Sequence, residues 1–491
     1  MSKRKILWLS SIVALVLISA GAGYFYWFGV QSREIAAAIL PRTLNLEGHG
    51  PELVNRIKEC EQRIRAGQDV ATALAELASL FHGNGLYSEA ARCYQGMIRI
   101  DSHNARWPHL LANILAGFGR LDDAVLLWRR ALSLKNDYTP AQIHLADSLL
   151  KLNRLEEARK VYDRVLQRET DNPYALLGLA RIDMEAGRWG VARERLEAAV
   201  SSSDYRIGYD LLVTASEHMG DKTRAEAVRA RNKASGAFID IPDPWLRETY
   251  FDCYDSYMLS LAGGTAEAQG DVPFAINLVE RAIRLEPKNG NYYVQAHLLY
   301  LQMKNTAKAL HTVLKGTVEA PDCADTWHEL AVYYRNVGQD QQAYMAVLTG
   351  LAHCPNSPSL HYMRGEYLVT AGKLEEAISD FQQTASIKND DGSPHIQLAR
   401  IYFSLNRTDD ALNALKNGYL SEPNSPPVLT VLGFYYINAH DEVNARKWMQ
   451  RIKDQPRIMS KERTELEAAF YQQFGSKAVL TFWSRRVAVL P

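Results

Sequence analysis

The sequence predicts an all-α protein, a solenoid of about eleven antiparallel helix pairs in two arrays behind one N-terminal hydrophobic helix. Three observations carry that prediction. Ala90, Ala124, Ala158 and Ala192 are each 34 residues apart, and Ala275, Ala309, Ala343, Ala377, Ala411 and Ala445 repeat the step. A large residue followed by a small one stands twelve to thirteen residues before most of these alanines, as in Leu77-Ala78, Leu111-Ala112, Leu145-Ala146, Leu179-Ala180, Leu330-Ala331, Leu398-Ala399 and Leu432-Gly433. Between pair and alanine lies a reversal of the chain, marked by Gly85, Gly119, Gly187, Gly270, Gly338 or Gly372. A repeat of this length is one helix–turn–helix unit that hides its apolar stripe only by stacking on a neighbour.

The elements follow in order. Residues 1–5 carry Lys3, Arg4 and Lys5, and Ile6–Phe28 then runs 23 residues without a charge. As a helix at about 1.5 Å per residue that run spans a hydrocarbon core, with Tyr24, Tyr26 and Trp27 at the interface. Ala20-Gly21-Ala22 fits a signal-peptide cleavage site, but the apolar run continues past it, which favours an uncleaved anchor. The basic start then stays in the cytoplasm, and the expectation is a single-pass protein of the bacterial inner membrane with its repeats outside the cytoplasm. Residues 29–70 form a juxtamembrane segment and an amphipathic leading helix with Leu53, Ile57, Cys60 and Ile64 on one face.

The first array occupies 71–233 and holds five units; the second occupies 251–457 and holds six. Between them, 234–250 breaks the helical period at Ile241-Pro242-Asp243-Pro244-Trp245. That elbow reads either as a docking feature with Trp245 as anchor or as a plug in the seam between the arrays. Residues 458–491 read as a terminal helical cap, since the last unit of a solenoid must cover its open face. In this register Ala343 is where the second helix of its unit touches the first. Pro287, Pro321, Pro355 and Pro423 end second helices.

Composition excludes several functions. Lys plus Arg equals Asp plus Glu at 56 each, so no net field draws the chain to nucleic acid. The five cysteines, Cys60, Cys93, Cys253, Cys323 and Cys354, form no C-x-x-C pair. No P-loop, G-x-S-x-G or H-E-x-x-H motif is present, and the expectation is a protein without catalytic residues, metal, cofactor or small-molecule substrate.

Trp327, Leu330, Ala331, Tyr334, Ala343 and Pro355 in one unit, and Gly365, Ala377 and Phe381 in the next, resemble the tetratricopeptide repeat family, and the resemblance covers about 71 to 457. His297 departs from it at the tight position, and the unit around Ala225 has a polar second helix. The resemblance implies a right-handed superhelix whose first helices line a groove for protein or peptide partners. It places His82, Arg106, His109, Asn113, Asp147, Lys151, Arg181 and Glu185 in the groove of the first array. In the second it places Val294, Leu298, Leu301, His328, Arg335, Tyr362, Ile396, Arg400, Phe403, Phe434 and Ile437. This second list is the greasier and the better candidate for a partner. Some members clamp a terminal carboxylate, but only Asn113 matches that pattern, because His109 and His144 stand where Lys and Asn are expected. The implied function is a membrane-anchored interaction scaffold in envelope assembly, secretion or polysaccharide export. The alternative is a tethered regulatory subunit that controls an enzyme, on the cytoplasmic side if the topology is reversed.

Overall fold

The computed structural model describes residues 29–40, 46–203, 205–232, 239–453 and 460–474. Every regular element among them is helical. The chain divides into two compact units, 1–285 and 286–491.

The first unit opens with α1 over 29–39 and α2 over Pro51–Ala66, whose buried face is Leu53, Ile57, Cys60 and Ile64, as the sequence pattern requires. Five pairs follow: α3 (Val70–Gly83) with α4 (Tyr87–Ile100), α5 (Arg106–Gly117) with α6 (Leu121–Leu134), α7 (Thr139–Lys151) with α8 (Leu155–Leu166), α9 (Pro173–Glu185) with α10 (Trp189–Ser202), and α11 (Arg206–His218) with α12 (Lys222–Asn232). Then come a six-residue helix α13 (Pro244–Thr249), a 3-10 turn at Tyr250–Asp252, and the pair α14 (Ser256–Ala268) and α15 (Val272–Leu285). The last pair was expected to open the second array. It belongs instead to the first compact unit.

The second unit contains α16 (Gly290–Gln302) with α17 (Thr306–Glu319), α18 (Ala324–Asn336) with α19 (Asp340–His353), α20 (Pro358–Thr370) with α21 (Leu374–Ile387), α22 (Ser393–Ser404) with α23 (Thr408–Ser421), and α24 (Pro426–Asn438) with α25 (Glu442–Lys453). Helix α26 (Ser460–Phe474) packs on α24 and α25 and buries Leu466 and Phe470; the rest of the segment read as a cap, 458–459 and 475–491, lies outside the described residues.

The lattice has a plain steric basis. All ten alanines of the 34-residue ruler are 0% exposed, because each sits where two helices of a pair come closest. Gly365 makes the same point from the first helix: a Cβ there would come 2.8 Å from Cζ of Phe381. Turns repeat on the same ruler. Gly338 has φ +75°, and Asn153, Lys304, Asn406 and His440 adopt the same left-handed turn at φ 57–59° without glycine's freedom. His297, too large for the tight position, turns its Nδ1 to the carbonyl of Ala309 at 2.9 Å and is 1% exposed. Helix starts are set by prolines in the first turn, as at Pro173, Pro358 and Pro426, and by caps such as Asn172, whose side chain accepts from Ala175 N at 3.0 Å.

One expectation is corrected. Among the described residues no helix is long and apolar enough to cross a membrane, so a single-pass membrane protein is not supported. The span assigned to Ile6–Phe28 lies outside the described residues.

Candidate functional site

The inner wall of the first unit is formed by α3, α5, α7 and α9, the helices predicted to carry a polar groove. The chain itself fills that wall. From Asp240 it runs back across these helices, from α9 toward α3. Tyr174 donates its hydroxyl to the Asp240 carbonyl at 3.3 Å. Farther along, Asp243 accepts from Tyr138 Oη and from His109 Nε2, both at 2.6 Å, with Asn113 Nδ2 at 3.4 Å. The same carboxylate caps α13 by accepting from the backbone of Trp245 and Leu246. Trp245 stacks on Tyr138 with ring centroids 3.7 Å apart and meets His109 edge-on at 5.5 Å.

The strap continues with Glu248 paired to Arg106. It ends on Asn84, whose amide donates to the Asp252 carbonyl at 2.8 Å and accepts from Tyr254 N at 2.6 Å. From the other side Arg281 on α15 donates to the carbonyls of Tyr250, Phe251 and Cys253 at 2.6–3.1 Å. Gly83 lies so close to the Thr249 carbonyl that a Cβ would collide with it.

Electrostatics fit a buried contact at Asp243, although His109 Nδ1 and Arg106 Nε are buried without a hydrogen-bond partner among the described residues. Burial pulls the His109 imidazole below its usual value against the opposing bond to Asp243, so neutral His109 donates from Nε2 to a carboxylate. Burial pushes the Asp243 carboxyl up, but His109 and Tyr138 outweigh it and hold the group well below the usual range. His82, bonded to Tyr94 Oη at 3.0 Å, is lowered to about 4 by burial.

The first groove therefore needs correction as a partner surface. His82 and His109 are buried at 7% and 0% exposure, and Arg106 and Asn113 face the strap. Sequence spacing placed these residues on the right wall but was silent about a segment some 130 residues later lying against it. Of the remainder, Asp147 accepts from Tyr162 and is raised by burial, Arg181 is half-buried, and Lys151 and Glu185 are exposed. Asn113, His144, Asp147 and Lys151 line a cavity of about 660 Å³ closed by Asp240–Pro244 and α14. Among the described residues no group of three or more His, Cys, Asp or Glu could hold a metal ion. Trp245 sits inside the first groove, and the segment that carries it lies between the first helices of that array and the pair α14 and α15.

In the second unit no segment among the described residues lies across the first helices, α16 to α24, as the strap does in the first. Leu298 is 46% exposed, Arg335 and Arg400 are exposed, and Val294, Leu301, His328, Tyr362, Phe403 and Phe434 are half-buried. Arg335 pairs with Glu366 at 3.2 Å; Arg400 has no ion-pair partner among the described residues. Two predicted residues fall out. Ile396 is 7% and Ile437 1% exposed, both in the core, because Ile396 packs with Leu368 and Phe381, and Ile437 lies in the cluster that α26 completes with Leu466 and Phe470.

Phe403, Val431, Phe434, Tyr435 and Asn438 enclose a pocket of about 370 Å³, with Phe403 and Tyr435 stacked at 5.6 Å. A wider cavity of about 920 Å³ opens at the starts of α18, α20 and α22, where His328 and Tyr362 meet Asp325, Ser357, Lys388 and Asp391. Residues missed from sequence include Asn84, Tyr138 and Arg281. Only Asp243, between two prolines and beside a tryptophan, carried a local signal.

Comparison with known proteins agrees with this architecture. Residues 115–168 and 368–455 match one family model described as tetratricopeptide repeat, and 143–207 match a second. Among curated relatives, RNA polymerase II-associated protein 3 of Rattus norvegicus is 26% identical over 42% of this chain and 29% of its own length. Protein CTR9 homolog of Arabidopsis thaliana is 21% identical over 70% of the chain and 25% of its own length. Cellulose synthase 1 operon protein C of Komagataeibacter xylinus is 26% identical over 61% and 22%. The chain thus spans about a quarter of the length of these relatives. The crystal structure of yeast Tom70 aligns over 85% of the chain and 99% of its own length at 15% identity, with a TM-score of 0.38, too low to carry an argument.

Proposed function

We propose that this chain, a member of the tetratricopeptide repeat family, is an interaction scaffold that receives a partner protein on the inner wall of its second unit and performs no chemistry of its own. Tetratricopeptide repeats generally bind protein partners. The observation that carries the reading is the contrast between the two walls. The first is filled by Asp240–Tyr254, whereas the second keeps Leu298, Tyr362, Phe403 and Phe434 within reach of solvent. An apolar, aromatic wall rimmed by charge is the composition of a protein-binding surface.

Similarity to an operon protein of cellulose synthase supports a setting in polysaccharide export or envelope assembly. The relatives named for RNA polymerase II and CTR9 carry similar repeats under other names, so the operon relative alone supports that setting. The test is photocrosslinking in cells from a benzophenone side chain at Tyr362, with exposed Gln342 on α19 as control. A discrete protein adduct at 362 alone is expected. Adducts at neither position, or at both alike, would sink the assignment.

A further inference from the structure

We infer that the second groove takes an internal segment in which a carboxylate closely precedes an aromatic side chain, the chemistry the chain lays in its own first groove. The inference rests on the second wall being a partner surface. Its template is intramolecular. The first groove holds its strap by three devices: a carboxylate seat at Asp243, an aromatic stack of Trp245 on Tyr138, and the Asn84 amide bonded to backbone on both sides. The second groove offers groups of the same chemistry, a cation, an aromatic pocket and an exposed amide, set differently on the repeat.

The 34-residue ruler relates one of them: Arg400 stands where Asn113 does, while the positions of His109 and Tyr138, which make the two short bonds to Asp243, hold Ile396 and Ser425. Asn113, which faces the Asp243 carboxylate, stands eleven residues before Ala124; Arg400 stands eleven before Ala411. The same position, one unit on, is Phe434, eleven before Ala445. Arg400 is exposed and without an ion-pair partner among the described residues, and the acid nearest on the ruler, Glu366, is engaged by Arg335. A guanidinium in place of an amide is a stronger carboxylate seat.

The aromatic seat is the pocket of Phe403, Phe434 and Tyr435, whose volume of about 370 Å³ accommodates one aromatic side chain. Phe403 lies three residues beyond Arg400, hence on the same helix face. The amide is Asn438, which is exposed and lines that pocket one residue from the ruler position of Asn84. A partner's acidic residue would pair with Arg400 while its aromatic side chain entered the pocket and Asn438 bonded the backbone between or beyond them. No terminal carboxylate is required, since Asp243 is internal to its own segment.

The test is selection of a displayed library of random dodecapeptides on the immobilised full chain, followed by fluorescence anisotropy of the enriched peptides. We expect enriched sequences to carry Asp or Glu one to three positions before Trp, Phe or Tyr. Arg400→Gln should weaken the synthesised peptides at least tenfold, Arg400→Lys should restore part of the loss, and raised salt should weaken wild type more than Arg400→Gln. Arg400 is exposed, so these variants keep the fold, and unchanged circular dichroism verifies it. Enrichment of acid-free peptides, no enrichment, or binding indifferent to Arg400→Gln overturns the inference. So does a dimer by sedimentation that Phe434→Ser dissolves, which would seat a second copy there. Protein adducts at Tyr362 alongside acid-free peptides would leave the scaffold standing and remove only this chemistry.

Discussion

Removing the Asp243 carboxylate should free the strap from the first groove. In Asp243→Ala, Tyr138 Oη and His109 Nε2 lose their acceptor in a place where both are buried, and each unpaired donor costs roughly 1–3 kcal/mol. Helix α13, only six residues long, also loses its cap, worth about 1 kcal/mol. Because the two donors share one partner these terms do not add fully, and the expected loss is about 3–5 kcal/mol. Asp243→Asn, which keeps one acceptor oxygen, should lose about half as much. The assay is urea unfolding of the full chain, followed by tryptophan fluorescence because Trp245 leaves its stack on Tyr138, together with trypsin cleavage after exposed Arg247. A loss under about 1 kcal/mol with the Arg247 bond as resistant as in wild type would refute the strap's dependence on this contact.

Four further outcomes follow from the same geometry. His82 is held neutral, with its value lowered from 6.5 to about 4, so its contribution is complete above pH 6.5 and disappears as pH falls toward 4. The loss is about 3 kcal/mol; thermal melts at pH 7, 5.5 and 4 should show it, and His82→Gln should flatten the slope in part, since His109 shifts in the same direction and the depressed Asp243 acts at lower pH. Ala343→Asp puts an unpaired charge in a seam that is 0% exposed and should cost several kcal/mol, about 3–5; an unchanged melting profile would contradict the register. Gly365→Ala drives a methyl into the buried Phe381 ring at a cost of about 1–3 kcal/mol, and Phe381→Leu should recover part of it in the same melts. Phe403→Ser with Phe434→Ser should weaken partner capture and leave helicity intact, because both rings are half-exposed; a parallel loss of circular dichroism would make them core.

Local packing rules made the repeats legible in the sequence. An alanine every 34 residues, a large-small pair ahead of it and a left-handed turn between them determine helix pair, register and face, and all ten alanines proved fully buried. Those relations hold within about 34 residues, where helical geometry is nearly the whole of the physics. On the second wall Leu298 is exposed, and Tyr362, Phe403 and Phe434 are half-buried. The burial of Ile396 and Ile437 was not legible, because their faces are covered by neighbouring units and by α26, and sequence periodicity alone cannot show which parts of a face a neighbour covers. Occupation of the first groove was decided by tertiary structure alone. It depends on His109 meeting the Asp243 carboxylate and Asn84 the Asp252 backbone carbonyl across 134 and 168 residues, contacts of single side chains with no period to reveal them, and it is the burial of those few polar groups that turns an apparent binding surface into an interior.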